Sequence, residues 1–144
     1  MDAALEQGRI ASGTERIFAA TGLAAIAGGS AAGWYFDPVN AGFFPVCPLL
    51  STTGFACPGC GLTRGFHALF HGDVLTAVDY NALLPLVALF IVGIVAALIS
   101  VALRGRGLGI NIFRPWILFG ILGLLVSFGV MRNLPFYPFS ILYP

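Results

Sequence analysis

Charged side chains are scarce in this chain. Only 9% of its 144 residues are Asp, Glu, Lys or Arg, lysine is absent, and all seven cations are arginine. Soluble domains carry about 25% charged residues, so a water-facing surface of ordinary composition is excluded. The six acidic residues and two histidines form no acid–base or nucleophile–base set of note, which argues against hydrolytic chemistry. A formal net charge of +1 points to neither nucleic acid nor an acidic partner. What fills the chain instead is apolar, with 58% hydrophobic residues and a mean hydropathy of +0.94. That composition is the signature of an integral membrane protein, and the length suits one small membrane domain, residues 1–144.

Three segments approach the ~20 apolar residues that a bilayer crossing requires. They run from about Ile17 to Phe36, from about Ala82 to Leu103 with Pro85 in the first turn, and from about Trp116 to Met131 behind Pro115. Small residues at Ser30-Ala31-Ala32 raise the rival reading of the first segment as a cleaved signal peptide, but Asp2, Glu6 and Glu15 do not make a basic leader, so a retained span is expected. No charged residue falls inside any span, so a proton or ion path through them is not expected. Arg9, Arg16, Arg104, Arg106 and Arg114 lie on one side and Arg64 and Arg132 on the other; the positive-inside rule then puts the N-terminus in the cytoplasm and the C-terminus outside. In the first span Thr21, Ala25, Gly29 and Gly33 recur every fourth residue, leaving a smooth side. It can pack on the protein's own spans, or dock a membrane partner or second copy through Ala25, Gly29 and Gly33.

All three cysteines fall in the connection after the first span, residues 37–81: Cys47-Pro48, then Cys57-Pro58-Gly59-Cys60-Gly61-Leu62-Thr63-Arg64. The prolines and glycines break regular structure, while Phe43, Phe44, Leu49, Leu50 and Phe55 are too apolar for free solvent, so the segment is expected in the interface or dipping into the bundle. From Cys60 to Phe70 the chain reads as an amphipathic helix. At about 100° per residue Cys60, Thr63, Arg64, His67 and His71 share a stripe, and Leu62, Phe66, Leu69 and Phe70 cover much of the other side. Gly72 ends it, and Asp73 caps a second short helix, Val74 to Tyr80, ahead of Asn81. The expected fold is therefore all-α integral membrane, with three transmembrane helices and a short interfacial or re-entrant helix after the Cys-Pro-Gly-Cys turn.

This constellation has three readings. As a metal site, Cys57 and Cys60 form a knuckle, Cys47 adds a thiolate and His67 an imidazole, a closed set for zinc; His67 and His71, four apart, offer a separate two-imidazole site. As a redox site, Cys57 or Cys60 at a helix N-terminus has its thiol acidified, Arg64 adds to the effect, and Cys47 resolves. As plain structure, Cys57 and Cys60 form a disulfide, which an outward-facing loop permits, or stay small buried groups. Pro58, Gly59 and Gly61 then serve only the bend.

The motif, together with Gly72-Asp73, Asn81 and Arg132-Asn133-Leu134-Pro135 after the last span, resembles a bacterial membrane family known as domain of unknown function 2752. The resemblance covers about Cys47 to Pro135. It implies the cytoplasmic (plasma) membrane of a bacterium, no established activity, and functional weight on Cys47, Cys57, Cys60, Gly61, Thr63, Arg64, Gly72, Asp73, Asn81, Arg132, Asn133 and Pro135. The chain departs from the family pattern at Ala82, where a proline usually follows the asparagine, and neither His67 nor His71 belongs to the pattern. Arg64, Asn81, Arg132 and Asn133 are expected at one membrane depth, bonded to one another or to lipid head groups. The tail from Phe136 to Tyr143 is expected as an aromatic belt. The reading that follows is a non-enzymatic membrane subunit or assembly factor; the alternative is a thiol-redox or metal-handling membrane protein using Cys47, Cys57 and Cys60.

Overall fold

The computed structural model describes residues 10–42, 44, 47–106 and 115–142. Arg9, Phe43, Pro45, Arg114 and Tyr143 lie outside the described residues. Of the described residues 71% are helical, and none lies in a strand. Helix α1 spans Gly13–Tyr35, α2 Pro48–Thr53, α3 Leu62–Phe70, α4 Val74–Tyr80 and α5 Leu84–Ile99, which continues as a π-helical turn over Ser100–Arg104; α6 spans Pro115–Met131, and a 3-10 turn covers Phe139–Leu142. Two helical stretches, Gly13–Tyr35 and Leu84–Arg104, are long and apolar enough to cross a membrane. Almost nothing in either is buried within the chain, unlike the core helix of a soluble protein. Helix α6 has 17 residues, about 26 Å at the ordinary helical rise, just short of a bilayer's hydrocarbon core.

The chain divides into two compact units. The first comprises Met1–Ala31 and Leu86–Arg114. Here α1 opens with a capping box: the Ser12 hydroxyl accepts from the Glu15 N–H at 3.2 Å, and the Glu15 carboxylate accepts from the Ser12 N–H at 2.6 Å. This cap starts the helix a turn earlier than apolarity alone indicates. The run of α1 is antiparallel to the end of α5. Arg16 donates from Nε and Nη2 to the Ala102 carbonyl at 3.0 and 2.9 Å, supplying donors where a helix end leaves carbonyls without partners. Further along, Gly22 lies under Leu98.

The second unit comprises Ala32–Pro85 and Pro115–Pro144. It begins with the last turn of α1 and holds α2 to α4, the first residues of α5, and α6 with the tail. Helices α3 and α4 form a close hairpin. Gly72 closes α3, and the Asp73 carboxylate accepts from the Thr76 N–H at 3.1 Å to start α4, as the sequence indicates. At Gly65 a Cβ would lie 3.0 Å from the Ala77 carbonyl oxygen and nearer still to Leu84, so only glycine lets these elements approach. One boundary differs from expectation. Helix α3 begins at Leu62, because Gly61 takes a left-handed conformation, φ +85°, that breaks the helical run. Cys60 therefore lies in the preceding turn and not on the helical stripe.

Candidate functional site: a clamped three-thiol loop

Cys47 precedes Pro48, and proline at the first helical position suits a helix start because its missing N–H would have no intrahelical partner there. Helix α2 begins at that point, and Cys47 is its N-cap residue. The Leu50 N–H reaches the Cys47 sulfur; this bond first, then the Cys60 and Cys57 thiols, draws the Cys47 thiol down from 9.0 to about 7. Cys57 and Cys60 come from the Pro58–Gly61 turn, whose Cys60 N–H donates to the Cys57 carbonyl at 3.0 Å. Their sulfurs stand 3.3 Å apart. All three sulfurs lie within 4.8 Å of one another, and the structure holds all three cysteines as free thiols, whereas one reading of the sequence pairs Cys57 with Cys60. Cys60 is buried, and burial first, then its thiol neighbours, pushes it up to about 12.

Three side chains fix this loop through its backbone. Arg132, just past the end of α6, is fully buried, and its Nη1 donates to the carbonyls of Cys57 at 3.0 Å, Cys60 at 3.1 Å and Pro58 at 3.4 Å. Asn81 is 1% exposed and donates from Nδ2 to the Pro58 carbonyl at 2.8 Å and the Cys60 carbonyl at 3.0 Å; its Oδ1 accepts from the Leu83 N–H at 2.9 Å. Asn133 pairs with both backbone groups of Ala56, accepting its N–H and donating to its carbonyl at 2.8 Å each, and donates again to the Gly129 carbonyl at 2.7 Å. Gly129 also makes room for the ring of Pro58, which a Cβ there would approach to 3.2 Å. At Gly61 a Cβ would run into the Tyr80 carbonyl oxygen, so glycine is required twice over, by conformation and by space. A permanent cation thus sits under a loop whose thiols can ionise; of the four polar groups expected at one depth, Asn81, Arg132 and Asn133 converge on the cysteine loop and Arg64 does not.

Other sequence candidates lie elsewhere. Thr63 and Arg64 are exposed, and Arg64 makes no hydrogen bond or ion pair among the described residues. His67 is not in the thiol cluster; its Nδ1 lies 2.8 Å from the Gly33 carbonyl oxygen. Beside Cys57 and Pro58, a groove of about 610 Å³ opens among apolar side chains, including Phe55, Leu122, Val126 and Val130. Helix α2 and the role of Ala56 were absent from the sequence reading. The Cys47-Pro48 pair carried the helix-start signal; nothing in Ala56 itself marks it, because only its backbone is used.

Fold and site together define a class: an all-helical protein with membrane-length apolar helices and a three-thiol loop clamped by a buried arginine and two asparagines. Residues 47–95 match the family model described as "Protein of unknown function (DUF2752)", the family that the motif resembles. Arg132 and Asn133 lie beyond the matched residues, yet they hold the loop within them. No curated protein and no solved structure matches the chain.

Proposed function

We propose that this is a bacterial membrane protein whose Cys47, Cys57 and Cys60 together hold one soft or borderline metal ion, zinc or a monovalent coinage metal. The observation that carries this is the convergence of three sulfurs within 4.8 Å, drawn from two separate segments onto one clamped loop. Metal–sulfur bonds of about 2.3 Å place thiolates roughly 3.8–4.0 Å apart in tetrahedral or trigonal sets, so small side-chain adjustments complete the site. The Arg132 charge offsets the negative charge of a three-thiolate centre, and the Cys47 thiol is already drawn down to about 7. Such a centre needs no acid–base residues, so the protein works as a non-enzymatic membrane subunit or assembly factor that holds or passes the metal. Three spans with the N-terminus inside put the loop on the outer face of the cytoplasmic membrane. The Gly29 side of α1, where a Cβ would meet nothing within 4 Å, leaves room for a partner helix or second copy at Ala25 and Gly29, whereas at Gly33 the ring of Phe70 already lies 3.7 Å from a Cβ.

Equilibrium dialysis of the purified, reduced full chain in micelles against zinc tests the reading. One equivalent that depends on the thiols is expected per chain, and its binding should be weakened by roughly tenfold or more in each of Cys47→Ser, Cys57→Ser and Cys60→Ser. Binding unchanged in any one of the three variants contradicts it. A second reading, thiol–disulfide exchange, is favoured by the 3.3 Å separation of the Cys57 and Cys60 sulfurs. It predicts loss of exchange with a small disulfide in Cys57→Ser and Cys60→Ser, and no stoichiometric metal that depends on the thiols.

A further inference from the structure

The two histidines of the chain stand one helical turn apart at the end of α3, and the thiol centre uses neither. Their surroundings fix more than their position. His67 Nδ1 lies 2.8 Å from the carbonyl oxygen of Gly33, in the last turns of α1, and His71 Nδ1 lies 2.8 Å from the carbonyl oxygen of His67. A carbonyl oxygen can only accept, so each Nδ1 carries the proton, and each neutral ring then holds its lone pair on Nε2. That is the tautomer of a metal-ligating imidazole whose other nitrogen is anchored to a backbone carbonyl. The ring planes are fixed as well. The two imidazole centroids are 4.4 Å apart and tilted by 42°, and Trp34 stacks on His71 at 6.0 Å and 9°. Neither Nε2 makes a hydrogen bond among the described residues. Asp37 adds negative charge close enough to His67 for the two to interact, while its oxygens cap the turn at Val39 and Asn40.

The geometry points to a second metal site, in which the Nε2 atoms of His67 and His71 take one borderline divalent ion such as zinc or nickel, with water or a lipid phosphate completing its coordination. Imidazole nitrogens suit these ions, and zinc, which thiolates bind as well, can occupy both sites. The site is open, since His71 is exposed, and it is independent of the thiol centre: it stands or falls without it.

Because the chain has only two histidines, long-range ¹H–¹⁵N correlation spectra of ¹⁵N-histidine-labelled full-length protein in phosphate-free micelles resolve both rings. Before metal, both rings should show the Nδ1–H tautomer. Titrated zinc should shift both Nε2 signals together and saturate at one equivalent beyond that taken by the thiols. In His71→Asn, a substitution at an exposed position, the His67 shift should need roughly tenfold more zinc or more. The same titration in Cys47→Ser should leave the histidine response unchanged, which separates this site from the thiol centre. Adding a short-chain phosphatidic acid should tighten binding if a lipid phosphate is the further ligand, and leave it unchanged if water is; inorganic phosphate should act alike only if any phosphate serves. An Nε2–H tautomer in either ring, a zinc shift confined to one ring, or a His67 response indifferent to His71→Asn would overturn the proposal.

Discussion

Cys47 and Cys60 are alike in sequence and opposite in environment. The Leu50 N–H and the neighbouring thiols favour the Cys47 thiolate, while burial disfavours that of Cys60. In metal-free protein, Cys47 should be alkylated before Cys60, with half-maximal rate near pH 7; rate-resolved mass spectrometry of peptides checks the order. The stability linkages have opposite signs. Cys47, with a folded pKa below its ordinary 9.0, contributes stability that is present above pH 9 and is lost as pH falls through about 7. Cys60, with a raised folded pKa, contributes stability that is present below pH 9 and is lost as pH rises towards about 12. Asn81 permits a second test of the loop's support. Asn81→Asp keeps the shape but turns an acceptor onto the Pro58 and Cys60 carbonyls in a buried place, and should cost about 3 kcal/mol, read as a lower denaturation midpoint. Gly61→Ala should cost about 2 kcal/mol or more, from the left-handed φ and the clash with Tyr80.

At the scale of elements, the hairpin of α3 and α4 was legible because its signals are local. Gly72 and Asp73 end one helix and start the next with the bonds their side chains and backbone dictate. Asp73→Ala should therefore destabilise α4, measurable as a lower thermal midpoint, with thiol reactivity little changed. The Asp73 carboxyl is held below its usual 3.8 by the Thr76 side chain and N–H, so its contribution is present above pH 4 and fades as pH falls below that. The start of α3 was misplaced by two residues because the requirement at Gly61 is tertiary: the Tyr80 carbonyl that excludes a Cβ is 19 residues away. Helix α2 was missed because its six apolar and hydroxyl residues, Pro48–Thr53, are too few to show a period. The site followed the same division. The cysteines were visible as a cluster in sequence, whereas the loop groups that Arg132 and Asn133 bind are backbone atoms more than 70 residues distant, which no side-chain pattern records.

At the scale of the whole molecule, two claims remain to be tested, topology and chemistry. Five arginines on the N-terminal side against two on the other predict a loop reachable from outside the cell. A thiol reagent unable to cross membranes should then label Cys47 in intact cells after mild reduction; labelling confined to inverted vesicles would contradict an N-terminus-inside arrangement. The most direct test of the three-thiol centre is X-ray absorption at the metal edge of full-length protein loaded with one equivalent of zinc. The account predicts a first shell dominated by three sulfurs at about 2.3 Å, reduced to two in Cys47→Ser. A first shell of nitrogen and oxygen alone, or one that keeps three sulfurs when Cys47 is replaced, would contradict it.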